Sequence, residues 1–273
     1  MFRTSNPVLS RNDAFAPAGW GGVSAEAPFV RAGAAANQKS DVMTIKGTAG
    51  KTAILLGACI AAAVGSWDLA VKNQGLAMPF LLGGMLGGLV LALIITFKPR
   101  SAPVLAPIYA VAEGAFLGVL SLIVAQQIVQ RTGDAGAGLS LVFQAVLLTF
   151  GILGALLVGY AAGFIRIRGV VAKCVIVGTM GVMLTYAASF LMSMFGFGSI
   201  GFIHSNGPIG IGFSLLVIVL ASANLVLDFQ FIEDGVNNGA PKHMEWFGAF
   251  GLMVTLVWLY IEILRLLSKL KRE

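Results

Sequence analysis

The chain has 273 residues, 58% of them hydrophobic and only 11% charged, whereas a soluble domain averages about 45–50% apolar and about 25% charged. A soluble globular fold is therefore excluded, and the excess of apolar residues falls in long runs. The net charge of +6 does not point to nucleic acid, because the basic residues sit at the ends of those runs, where membrane orientation already accounts for them. The two cysteines, Cys59 and Cys174, lie inside apolar runs, so no disulfide framework is expected.

Residues 1–48 read as a polar, Ala/Gly/Pro-containing tail, disordered and cytoplasmic, leading through Arg3, Arg11, Arg31, Lys39, Lys46 and Lys51 into the first apolar run. It has no early apolar core of 7–15 residues, so it is not read as a signal peptide. Residues 49–273 form the membrane domain. About 20 apolar residues cross a bilayer, which gives seven spans: Thr52–Val71, Ala77–Phe97, Pro103–Ala125, Leu139–Ile165, Val170–Phe195, Pro208–Phe231 and Trp246–Leu267. Each must be helical, since open strands leave backbone groups unpaired in lipid. The expected fold is an all-α, seven-transmembrane-helix bundle with the lipid bilayer as its first partner.

Loop charges orient it. Lys98, Arg100, Arg166, Arg168, Lys173 and Lys242 fall on the side of the tail, and only Lys72 and Arg131 on the other. This puts the N-terminus in the cytoplasm of a multi-pass cell (plasma) membrane protein. The basic C-terminal residues Arg265, Lys269, Lys271 and Arg272 run against the scheme, so either the earlier charges dominate or the last segment crosses incompletely. The second span carries two overlapping G-x-x-x-G patterns, Gly83/Gly87 and Gly84/Gly88, which suit close helix packing within the chain or between chains.

Carboxylates inside the bilayer are the informative residues, because each costs a few kcal/mol unless paired or hydrated. Asp68 lies near the end of the first span, within reach of interfacial water. Glu113 is ten residues past Pro103, about 15 Å deep at the helical rise, and Asp228 is about 10 Å from the same edge, a similar depth at which the two could face each other. Asn224 and Asp228 are four apart and share a helix face. Two carboxyls in contact cannot both ionise cheaply, which would make a proton sensor; fully ionised, they would suit a hard cation such as Ca²⁺. Glu262, deep in the last span, has pairing with Arg265 or Lys269 as its plainer alternative, and for every one of these acids the bland reading is a polar pin between helices. There is no G-x-S-x-G, H-E-x-x-H, P-loop or Cys/His metal spacing, and His204 and His243 are isolated in loops. Neither catalysis nor a cofactor is expected.

The segment LVLDFQFIEDGVNNG resembles the Asp-x-Gln turn that closes the sixth helix of the Bax inhibitor-1 family, also called TMBIM or YccA-like. PIYAVAEGAFLG resembles that family's Glu-Gly element, and LVWLYIEILRLLSKL its final amphipathic span. The long tail and the FKPRSAP connection are most similar to the actinobacterial-type branch. The resemblance implies a last helix at the bundle's centre and a pH-sensitive Ca²⁺ leak governed by two acids in the last two helices. It makes Asp228 the first acid and, as possible metal ligand with it, Glu262, with Trp258 at that place in an alternative alignment; Glu113 or Glu245 are further candidates for the partner. It also implies a competing role as a non-transporting regulator of other membrane proteins, such as a membrane-bound protease.

Overall fold

The computed structural model describes residues 41–196, 201 and 207–271. The tail up to residue 40, His204 and Arg272 lie outside them. Among the described residues seven helices are long and apolar enough to cross a membrane: α1 Ile45–Lys72, α2 Ala77–Phe97, α3 Ala102–Thr132, α4 Ala137–Ala161, α5 Gly169–Met194, α6 Pro208–Asn237 and α7 Met244–Leu270. Among the described residues the one β-type pairing is the isolated bridge between Val42 and Pro241.

Hydropathy locates the membrane-crossing part of a helix, and the polar turns beyond it belong to capping chemistry. Thus α1 starts at Ile45, well before Thr52, because Thr44 is extended (φ −132°, ψ 148°) and its side chain accepts the Gly47 amide, the geometry of an N-cap. Residues 45–48, assigned to the tail from the sequence, are its first turn. Helix α3 continues past Ala125 to Thr132 and ends on Gly133 in the left-handed region, φ +69°, where glycine carries no Cβ penalty. Helix α4 stops at Ala161 and not at Ile165, because the chain turns through Gly163 at φ +78°.

Contacts between helices fix their directions. Ser121 of α3 meets Tyr260 of α7, and Tyr109 meets Phe250, so α3 and α7 run the same way. Asp228 of α6 meets Thr255 of α7, while Ser214 meets Lys269, so α6 runs against α7. Odd-numbered helices therefore ascend from the end where α1 begins, here the near end, and even-numbered ones return from the far end. Helix α7 is about 40 Å long at the helical rise and 27 residues in extent. Its terminal Lys269 donates to Gly210 O at 2.8 Å and Ser214 Oγ at 3.0 Å, at the start of α6. The last segment thus runs the full length of the bundle alongside α6.

Two apolar cores share α7. Ala249, Phe250 and Met253 pack with Leu55, Cys59, Tyr109 and Leu117 of α1 and α3. Leu252, Leu256, Leu259 and Ile263 pack with Leu141 of α4 and Leu225 and Phe229 of α6. Helix α7 packs against α1, α3, α4 and α6, whereas the strongest contacts of α2 are with α3 and those of α5 with α6.

The first three helices are mated through glycine. A Cβ on Gly114 would lie 2.2 Å from Cys59 O, and one on Gly118 would lie 2.1 Å from Ala63 O. Helix α3 therefore lays a G-x-x-x-G strip directly on the backbone of α1, the close approach that substitutes for a hydrophobic driving force in lipid. Of the two patterns in α2, Gly84/Gly88 is the one used within the chain, against Ala112, Glu113 and Phe116, and Gly83/Gly87 faces open space.

Candidate functional site: a polar seam between the last three helices

Residues three and four apart on a helix share a face, and one face of α7 reads Thr255, Trp258, Glu262, Arg265, Lys269. Opposite it stand Thr179 and Tyr186 of α5 and Gly210, Ser214, Asn224 and Asp228 of α6. Together they make a polar seam along much of the bundle's length.

Asp228 is half-buried and accepts from Thr255 Oγ1 at 2.7 Å. The same hydroxyl has a second, weaker acceptor one turn back on its own helix, Gly251 O at 3.3 Å. Asn224 does share the Asp228 side of α6, but its amide turns to α5, donating to Thr179 Oγ1 at 2.7 Å and to Leu220 O at 2.8 Å. It anchors α5 and does not bond to Asp228.

Glu262 is 1% exposed. Its Oε1 accepts from Tyr186 Oη at 2.7 Å and from Arg265 Nη1 at 2.9 Å, and Arg265 Nη1 also donates to Tyr186 Oη at 2.7 Å. The guanidinium lies 4.9 Å over the Tyr186 ring. The plainer expectation for Glu262, pairing with Arg265, describes this geometry. Thr255 and Glu262 are seven residues apart, about 10 Å along the axis, so Asp228 and Glu262 occupy separate stations of the seam and not one di-acidic contact. Among the described residues three buried polar atoms have no hydrogen-bond partner: Glu262 Oε2, Trp258 Nε1 and Gln230 Oε1. All are on α6 or α7, and buried polar atoms ordinarily find partners, so each has capacity for a polar guest.

At the near end the seam meets a cluster that sequence reasoning missed. Glu233 of α6 accepts from the Tyr160 hydroxyl of α4 and from Arg166 Nη2 at 3.1 Å, with Arg166 5.7 Å over the Tyr160 ring. The available signal was a tyrosine closing the fourth apolar run beside two arginines.

The remaining acids lie elsewhere. Glu245, 1% exposed, holds the starts of α1 and α7 together. Its Oε1 accepts from both Thr44 N and Thr44 Oγ1 at 2.9 Å, and Lys51 Nζ donates to its Oε2. A Cβ on Gly47 would lie 2.3 Å from Glu245 Oε1, so the missing side chain makes the carboxylate's seat. The α1 N-terminus adds a favourable dipole. Glu245 stands ten residues, about 15 Å, before Thr255, which rules it out as a contact partner of Asp228. Glu113 does not face Asp228 either. Its carboxyl rests on Gly88 of α2, with the Tyr109 hydroxyl and the Cys59 thiol as polar neighbours, because the glycine-mated packing of α3 turns that face away from α6. Asp68 is exposed and pairs with Lys72 at 2.6 Å, as expected of an interfacial acid. Among the described residues no group of three or more His, Cys, Asp or Glu side chains could hold a metal ion.

No curated protein and no solved structure matches the chain. A family model described as Bax inhibitor 1 like matches residues 6–272.

Proposed function

This chain belongs to the Bax inhibitor 1-like family, and from that premise we propose that it is a pH-sensitive cation leak pathway, with Ca²⁺ as its cargo and Asp228 as its gate. The observation that carries the reading is the bond from Thr255 to Asp228 at the middle of the seam. An ionised carboxylate makes a charge-assisted bond, roughly twice as strong as a neutral one, so ionised Asp228 clasps α6 to α7. Taking up a proton weakens that acceptor, and the Thr255 hydroxyl folds back onto Gly251 O, its acceptor within the helix. The clasp then opens and the seam widens. Flux rises as pH falls.

The unpartnered oxygen Glu262 Oε2 supplies an oxygen ligand of the kind hard cations take. Glu262 is the second acid of this reading, tempered by Arg265, and Glu233 with Arg166 guards the near end. The basic asymmetry of the loops supports a cytoplasmic near end in the plasma membrane.

The test is Ca²⁺ flux into dye-loaded liposomes across pH. Wild type should leak faster at acid pH, and Asp228→Asn, a permanent neutral, should leak at a pH-independent rate. Identical profiles for the two would sink the proposal. A second reading, a non-transporting regulator of other membrane proteins, draws on one observation: Asp41–Met43 bond to the α6–α7 loop through Met43 N to Ala240 O at 2.7 Å and Lys242 N to Asp41 O at 2.8 Å, so residues 41–43 are tied to the near end. Deleting residues 1–40 and finding partner capture lost with flux intact would favour it.

A further inference from the structure

A groove of about 440 Å³ opens on the far half of the bundle, away from the seam. Its floor is Gly118, Ser121, Leu256 and Tyr260 of α3 and α7, and its walls are Ile60 and Val64 of α1 and Val142, Val146 and Phe150 of α4. The rim faces outward, with Ile60 49% and Val64 66% exposed, so in a membrane it opens sideways onto lipid.

The few polar groups within it are already engaged. Ser121 Oγ donates to Leu117 O at 2.6 Å, which leaves Tyr260 Oη as the donor in its 2.7 Å bond to Ser121 Oγ. Thr149 donates to Ala145 O at 2.8 Å. Nothing in the floor asks for a polar guest, and what fits is hydrocarbon. From Leu56 to Asp68 the α1 wall rises twelve residue steps, about 18 Å at the helical rise, close to one leaflet of a hydrocarbon core about 30 Å thick. At its far-end mouth stand Trp67 and Asp68, with Lys72 paired to Asp68 at 2.6 Å. An indole and a lysine are the side chains that sit at headgroup level.

We propose that this groove binds one acyl chain of a membrane phospholipid, with the headgroup phosphate at Lys72 and Trp67. The site lies on the face of α7 opposite the seam and stands independently of the cation reading. Native mass spectrometry of the full chain in detergent tests it. Wild type should retain one phospholipid mass, the groove-filling double variant Val142→Phe/Val146→Phe should lose it, and Leu86→Phe on the outward face of α2 should keep it. Wild type without bound lipid, a free fatty acid mass in place of a phospholipid, or equal retention in all three overturns the proposal. A second measurement needs no filled variant. Ile60 lines the groove at its exposed rim, so with Cys174→Ala as background the alkylation of Ile60→Cys should slow about tenfold when two equivalents of phosphatidylcholine are added at fixed detergent, and an unchanged rate overturns the proposal as well.

Discussion

The first three helices and the last three solve the same problem, holding together in lipid, by opposite means. Between α1, α2 and α3 the closest contacts are backbone on backbone through Gly114, Gly118 and Gly84, and Gly88 seats the Glu113 side chain. Between α5, α6 and α7 it runs through side-chain bonds at Asp228–Thr255, Asn224–Thr179, Tyr186–Glu262 and Lys269–Ser214. The backbone contacts at Gly114, Gly118 and Gly84 have one arrangement and no titratable part. Polar contacts are individually worth only about 0.6 kcal/mol on average between membrane helices, and each can be exchanged for another partner. One half is a fixed frame; the other is a set of latches.

The comparison can be broken most severely in the frame. Gly118→Leu should leave almost no monodisperse protein after solubilisation, because its Cβ alone would lie 2.1 Å from Ala63 O, whereas Gly83→Leu, in open space, should behave as wild type in size-exclusion yield. Next comes Glu245→Gln, which leaves Lys51 without its counter-charge; removing one partner of a buried pair costs about 3–5 kcal/mol, and a large drop in apparent Tm should follow. In the latches the effects on stability shrink while those on transport grow. Thr255→Val should cost about 1 kcal/mol and raise Ca²⁺ flux at neutral pH to the level wild type reaches in acid. Tyr186→Phe should be the mildest, about 0.6 kcal/mol, with faster hydrogen exchange confined to α5. If Tyr186→Phe unfolds the protein as Gly118→Leu does, the division into frame and latches fails.

The fold was legible because hydropathy and length suffice to find a membrane helix; the seven spans, the membrane class and the family follow from local runs and short segments. Asp228 and Glu262 stood out for the same reason, since an acid in an apolar run is conspicuous. Glu262's partner was legible too, Arg265 being one turn away. Thr255 was not, because a threonine inside a span ordinarily bonds its own helix, and only the packing of α6 shows that it also serves Asp228. Glu245's role was hidden by distance along the chain, with Thr44 201 positions and Lys51 194 positions away. The expected meeting of Glu113 and Asp228 rested on depth alone, and depth carries no information about rotation around a helix axis. Glycine misled in part: the pattern in α2 was conspicuous, yet the tighter strip, Gly114/Gly118, lay in α3 among larger residues.

The clasp at Glu245 also has a consequence for biogenesis. Lys51 is made with α1, and its counter-charge arrives only 194 positions later, with α7. Until α7 emerges from the ribosome the growing chain carries an uncompensated cation near the base of α1, and Gly47 presents a bare notch. Docking of α7 onto α1 is thus chemically marked at the near end, and a chain truncated before residue 244 would leave Lys51 without Glu245.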